Sequence, residues 1–124
     1  MSEAKIYDFL SEVYTQLKQS EDVYKKYLTN GKTFLYAKKL KSHNLKIKDL
    51  LMINSCLLSD MLHKDSILLI AHYNSWLEKW DELEQKLKPE PSDEFIFENS
   101  HTFPKQACNN IENEYLKLKK EQSS

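Results

Sequence analysis

Apolar residues recur along this chain at alternating steps of three and four, the spacing that lines one face of an α-helix. Between Glu3 and Thr29 the seam is Ile6, Leu10, Val13, Leu17, Tyr24 and Tyr27, with the polar Ser20 filling its one gap. Ser2 is placed to cap the start of this helix, and Asn30-Gly31 supplies residues that tolerate the left-handed backbone that ends one. Phe34, Ala37 and Leu40 predict a short second helix over 33–41. After Ser42-His43-Asn44, with Asn44 as the N-cap, the run Ile47, Leu50, Leu51, Asn54, Leu57, Leu58, Met61 and Leu62 predicts a third helix over 45–63. Asp65 has the character of a further N-cap, and Leu69, Tyr73, Trp76, Trp80, Leu83 and Leu87 carry the stripe over 66–87. No Gly or Pro separates these last two segments. A break near Lys64 is still expected, because one helix of about forty residues is out of scale for so small a domain.

Pro89-Glu-Pro-Ser-Asp-Glu opens the one clear loop, 88–103, since each proline turns its predecessor away from helix. Within it, Phe95-Ile-Phe97 is the segment able to pair as a short strand or to plug one end of a bundle. Pro104 suits the first position of a last helix over 104–120, marked by Ala107, Cys108, Ile111, Tyr115 and Leu118, with a tail from Glu121 to Ser124 that should fray. Over 124 residues these elements predict a single all-α domain, an antiparallel four-helix bundle with one additional short helix.

Composition supports the pattern and then mainly excludes. Eighteen Leu stand against two Val, seven Ile and four Thr, with one Gly and three Pro, which favours a few long helices over strands and tight turns. All 18 basic residues are Lys, so no guanidinium fork can read guanine or clamp a phosphate. Lys, Asn, Ile, Tyr and Phe make up 45 residues, the composition of an AT-rich coding sequence from a low-GC source. One glycine leaves no room for a Walker loop, a dinucleotide fingerprint or the Gly-x-Ser-x-Gly elbow. Cys56 and Cys108 lack metal-ligand spacing, and both fall on predicted apolar faces, where a reduced thiol acts as a small hydrophobe. No signal sequence and no apolar run long enough for a membrane span is present, so a cytoplasmic protein with no membrane contact is expected.

Histidines at 43, 63, 72 and 101 invite a metal or acid–base hypothesis. Neither His63 nor His72 has the Glu three residues earlier that di-iron bundles use; Asp60 and Leu69 stand there instead. Asp60 with His63 makes half a site, and Lys38 with His43 the remnant of a helical ribonuclease pair. The ordinary reading of each is a solvated helix surface. No catalytic, cofactor-binding or metal residue is assigned, and no cofactor is expected.

Charge is the remaining clue. Residues 32–48 hold six Lys and no acid (+6), and residues 78–98 hold eight acids against three Lys (−5), within a chain of net charge −1. Lys38, Lys39, Lys41, Lys46 and Lys48, together with Trp80, Glu84, Phe95 and Phe97, form the candidate interaction surface, in which aromatic residues are rimmed by charge. The expected function is a non-enzymatic protein–protein interaction module of the immunity, antitoxin, phage-accessory or adaptor kind, its partner another protein or a second copy in a homodimer. The alternatives are a nucleic-acid-binding regulator using the Lys-rich segment, and a metal-dependent or ribonuclease-like enzyme using Asp60, His63 and His72.

Overall fold

A computed structural model describes residues 3–99 and 101–123. Four helices account for most of it: α1 (Glu3–Thr29), α2 (Phe34–Asn54), α3 (Asp60–Leu87) and α4 (Lys105–Gln122). Each packs on its neighbours in the order α1, α2, α3, α4 and back to α1, giving an up-down-up-down, all-α bundle. The short extra helix expected over 33–41 is instead the start of α2, and a single 3-10 turn, Ser55–Leu57, lies between α2 and α3. The expected N-cap at Ser2 lies outside the described residues.

The helix boundaries differ from expectation in the middle of the chain. The segments predicted at 33–41 and 45–63 are one helix through Ser42-His43-Asn44, and the break falls at Ser55–Ser59 rather than near Lys64. Asn44 is not a cap. It is buried inside α2, where its side-chain oxygen accepts from the Ser20 hydroxyl at 2.6 Å, while His43 Nδ1 bonds Gln16 Oε1 at 2.7 Å. Partners on α1 therefore remove the reason for these polar residues to leave the helix and bond their own backbone. Ser20, the gap in the first seam, is the other half of that pair. At the break, Leu58 is extended, and Ser59 caps α3 by accepting from the Leu62 N–H at 3.3 Å. Asp65 lies inside α3 and accepts from the Asn110 amide at 3.0 Å, so it ties α3 to α4 and caps nothing.

Other ends follow from local chemistry. Gly31 (φ 79°) and Lys32 (φ 53°) turn the chain out of α1, and Lys88 (φ 45°) ends α3 one residue before Pro89. Pro104 is the residue before α4 and supplies the carbonyl that the Cys108 N–H bonds at 3.0 Å. The helix then runs through Gln122, beyond the expected end at 120.

Length divides the bundle into two sections. At 1.5 Å per residue, α1 and α3 run about 40 Å, whereas α4, with 18 residues, reaches only about 27 Å. It therefore covers α1 from Tyr7 to Lys18, through Tyr7 and Tyr14 stacked on Tyr115 and an ion pair between Lys18 and Glu112 at 3.2 Å. In this lower section Leu10, Val13, Ile47, Leu51, Leu69 and Ile111 are fully shielded and form the main core.

In the upper section there are three helices, and the loop takes the place of the fourth. Phe34 N–H donates to the Asp93 carbonyl at 2.8 Å and Leu35 N–H to Pro91 at 3.0 Å, so the loop backbone satisfies two first-turn amides of α2 that no side chain caps. Phe95 N–H returns a bond to the Lys32 carbonyl at 2.9 Å, beside an isolated antiparallel bridge of Thr33 with Glu94. The Tyr27 hydroxyl donates to the Phe95 carbonyl. Held this way, the Phe95 ring is fully buried, 5.1 Å from Phe34 and 4.9 Å from Trp80. Phe97 extends the cluster onto Trp76 at 5.5 Å. The loop thus both pairs and plugs, and the described residues contain no strand.

Replacing Ser59 with Ala should cost about 1 kcal/mol, the usual worth of an N-cap. Asp65→Ala, which removes only one partly exposed bond to Asn110, should cost less than half as much. Urea midpoints at constant slope measure both; equal losses would put the start of α3 elsewhere.

Candidate binding cleft

The nine residues of the expected interaction surface divide by burial. Lys38, Lys39 and Lys46 are exposed on α2. Trp80 and Phe95 are not surface residues: both are core, and the Trp80 indole N–H donates to the Ala37 carbonyl at 3.1 Å. They are buried because α4 stops short and the loop closes over the gap, a tertiary arrangement that helical periodicity does not express. Of the two tryptophans on the seam it is Trp80 that is fully enclosed, with Trp76 half-buried at the edge. Glu84 and Phe97 are half-buried beside this cluster.

The two charged segments meet at one ion pair. Lys41 reaches Asp81 at 2.8 Å and lies 4.2 Å over the Trp80 ring, so its ammonium is held by charge and by an aromatic face together. Lys48 lies 3.9 Å from Asp49, and Lys38 and Lys39 lean over Phe34 and Tyr36 at 5.6 and 5.4 Å. Of these contacts only Lys41–Asp81 joins the two charged segments across α2 and α3; those of Lys38, Lys39 and Lys48 lie within α2.

The two histidines of the expected site do not converge. His63 and His72 are nine residues apart on one helix, about 13 Å, so Asp60 and His63 share a turn that His72 does not reach. Lys38 and His43, five residues apart on α2, point about 140° away from each other. Among the described residues no group of three or more His, Cys, Asp or Glu is arranged to hold a metal ion. Both cysteines are free thiols. Cys108 is buried, as expected, and burial pushes its thiol up to about 12. Cys56 is exposed, because the 3-10 turn replaces the helix whose apolar face it was to join.

The shortened α4 leaves a cleft that sequence reasoning did not anticipate. It opens above the first turn of α4, between α1 and α3, with a volume of about 580 Å³, within the range of small-molecule sites. Its buried floor is Leu17, Leu40, Asn44, Tyr73 and Cys108; its walls are Tyr24, His72, Trp76 and Phe103; and Lys105, Asn109 and Glu112 form the lip. A depression of about 610 Å³ beside His43 is lined otherwise by α1 alone and lacks enclosing walls. The polar pair Ser20–Asn44 was the available signal for the cleft, since a hydrophilic gap in two facing seams marks a place where the core is not closed by apolar packing.

His72 is fixed from the loop side. Asn99 Nδ2 approaches its Nδ1 at 3.4 Å and its carbonyl at 3.3 Å, and the ring meets Tyr73 and Phe103 edge-on at 5.2 and 5.1 Å. Burial lowers its pKa below the usual 6.5; a hydrogen bond with the His101 backbone opposes this and the His101 charge adds to it. Burial, helped by Lys46, lowers His43 as well.

At the opposite end of the molecule, around the α2–α3 turn, apolar side chains face outward: Met52 (59% exposed), Ile53 (72%) and Met61 (65%), with Cys56 between them. Met61 was expected on the buried seam, but the break at Ser55–Ser59 sets α3 in a register that turns it out. No helix among the described residues is long and apolar enough to cross a membrane. No family model, curated protein or solved structure matches the chain.

A histidine whose folded pKa lies below its unfolded value binds its proton more readily when the chain unfolds. The stability it contributes is therefore complete above about pH 6.5 and is lost as pH falls through that value toward the folded pKa. Urea unfolding should show stability declining from pH 7 to pH 5, and His72→Gln should flatten the decline. An unchanged slope in that variant would remove His72 from the account.

Proposed function

We propose that this protein is a non-catalytic interaction module that binds another protein through the apolar end of the bundle at the α2–α3 turn. The supporting observation is that Met52, Ile53 and Met61, flanking a five-residue connection, are all largely exposed. Exposed apolar side chains gathered around one turn suit a contact surface, and methionine adapts to an irregular partner. The reading keeps the expected class of function and moves its surface from the Lys-rich and aromatic segments to the opposite end. The nucleic-acid alternative retains Lys38, Lys39 and Lys46 as exposed cations, and the enzymatic alternative retains Asp60 and His63; no comparable clustering favours either.

Cys56 provides the test, because it lies inside the patch and is exposed while Cys108 is buried with a weakly acidic thiol. A thiol-directed photo-crosslinker should label Cys56 in the folded protein and leave Cys108 unmodified until the chain unfolds. Irradiation in the native host should then join the protein to one predominant partner. Ile53→Glu together with Met61→Glu should abolish the adduct while leaving the melting temperature within about 2 °C, as expected of exposed positions. An adduct only with a second copy, matched by dimer in sedimentation velocity, would make the partner the chain itself. An adduct indifferent to both substitutions would contradict the reading.

A further inference from the structure

The cleft above α4 has a chemistry that its packing does not use up. Asn44 on its floor is only 5% exposed, yet the Ser20 hydroxyl satisfies its oxygen alone. Its amide nitrogen bonds no acceptor among the described residues, and no fully shielded side-chain nitrogen or oxygen there is unbonded, so the amide of this cleft-lining residue keeps some exposure. A donor that meets only the solvent of a cleft is free to bond a ligand's acceptor. Around it stand Tyr24, Trp76 and Phe103, surfaces suited to a flat ring.

Charge narrows the ligand further. Glu112 is held by Lys18 at 3.2 Å, and Lys18 and Lys25 approach Glu21, which also lines the cleft, at 3.6 and 3.7 Å, so the acids of the cleft are paired while Lys105 brings a cation to its lip. No arginine is present to clamp a carboxylate or phosphate. We propose that this cleft binds a small planar molecule with a hydrogen-bond acceptor and no cationic group, its ring among Tyr24, Trp76 and Phe103 and its acceptor on the Asn44 amide. The site is independent of the protein contact at the α2–α3 turn, and either can stand without the other.

Prodan, an uncharged naphthalene with one ketone acceptor whose emission moves to the blue on leaving water, is the probe. Titrated into the protein it should bind saturably at one site, with blue-shifted emission and quenching of tryptophan fluorescence by contact with Trp76. Asn109 is exposed on the lip, so Asn109→Trp should block the mouth and weaken binding at least about tenfold while the melting temperature stays unchanged. Asn44→Ala should weaken binding by roughly three- to tenfold, the worth of one hydrogen bond; if that variant fails to fold, Asn109→Trp decides. Ile53→Glu, at the other end, should leave the titration as in the original protein. Absence of saturable binding, or binding that Asn109→Trp leaves unchanged, would overturn the proposal.

Discussion

The structure depends on a mismatch of lengths. Three helices of 21 to 28 residues are joined by one of 18, and a four-helix bundle with one short member must close its uncovered end by other means. Here the means is the loop after α3, anchored by one ring. Phe95 sits between Phe34 and Trp80 while its backbone bonds Lys32, and the preceding carbonyls of Pro91 and Asp93 complete the first turn of α2. Apolar burial and backbone satisfaction act at the same place, so neither Trp80 nor the start of α2 is stable in this form without the loop.

The same mismatch produces the features with functional content. Where α4 has not yet begun and the loop has not closed the space, the cleft opens over Asn44. Lower down, where all four helices are present, the apolar core is continuous. At the far end, a short connection turns Met52, Ile53 and Met61 outward together. The two proposed binding sites thus lie where helix packing is incomplete, and the lysine-rich and acidic segments meet at one ion pair, Lys41–Asp81.

Much of the fold was legible in the sequence because seams spaced by three and four report which face of each helix is buried. Leu10, Val13, Leu17, Leu69, Tyr73, Ile111 and Leu118 all lie where that spacing puts them. Helix ends were less legible, since Asn44 and Asp65 have side chains that cap helices in isolation but here bond across to α1 and α4. The candidate surface failed at Trp80 and Phe95 for a related reason: an aromatic residue near charged neighbours reads as exposed unless the chain that covers it is known. That covering chain is a loop whose path no periodicity encodes. The cleft left a fainter trace, in the polar residues Ser20 and Asn44 interrupting two apolar seams.

Native-state hydrogen exchange on Phe95→Ala tests the central claim most directly, because truncating a buried phenylalanine removes roughly 3–5 kcal/mol from whatever it holds. If the loop stands in for a fourth helix, amides at the start of α2 (34–40) and the end of α3 (76–87) lose nearly all protection. Those of Leu10–Leu17, Ile47–Leu51 and Ile111–Leu118 should stay slow to exchange. Loss of protection by both sections together, as one cooperative unit, or retention of it by the upper one, would contradict the account.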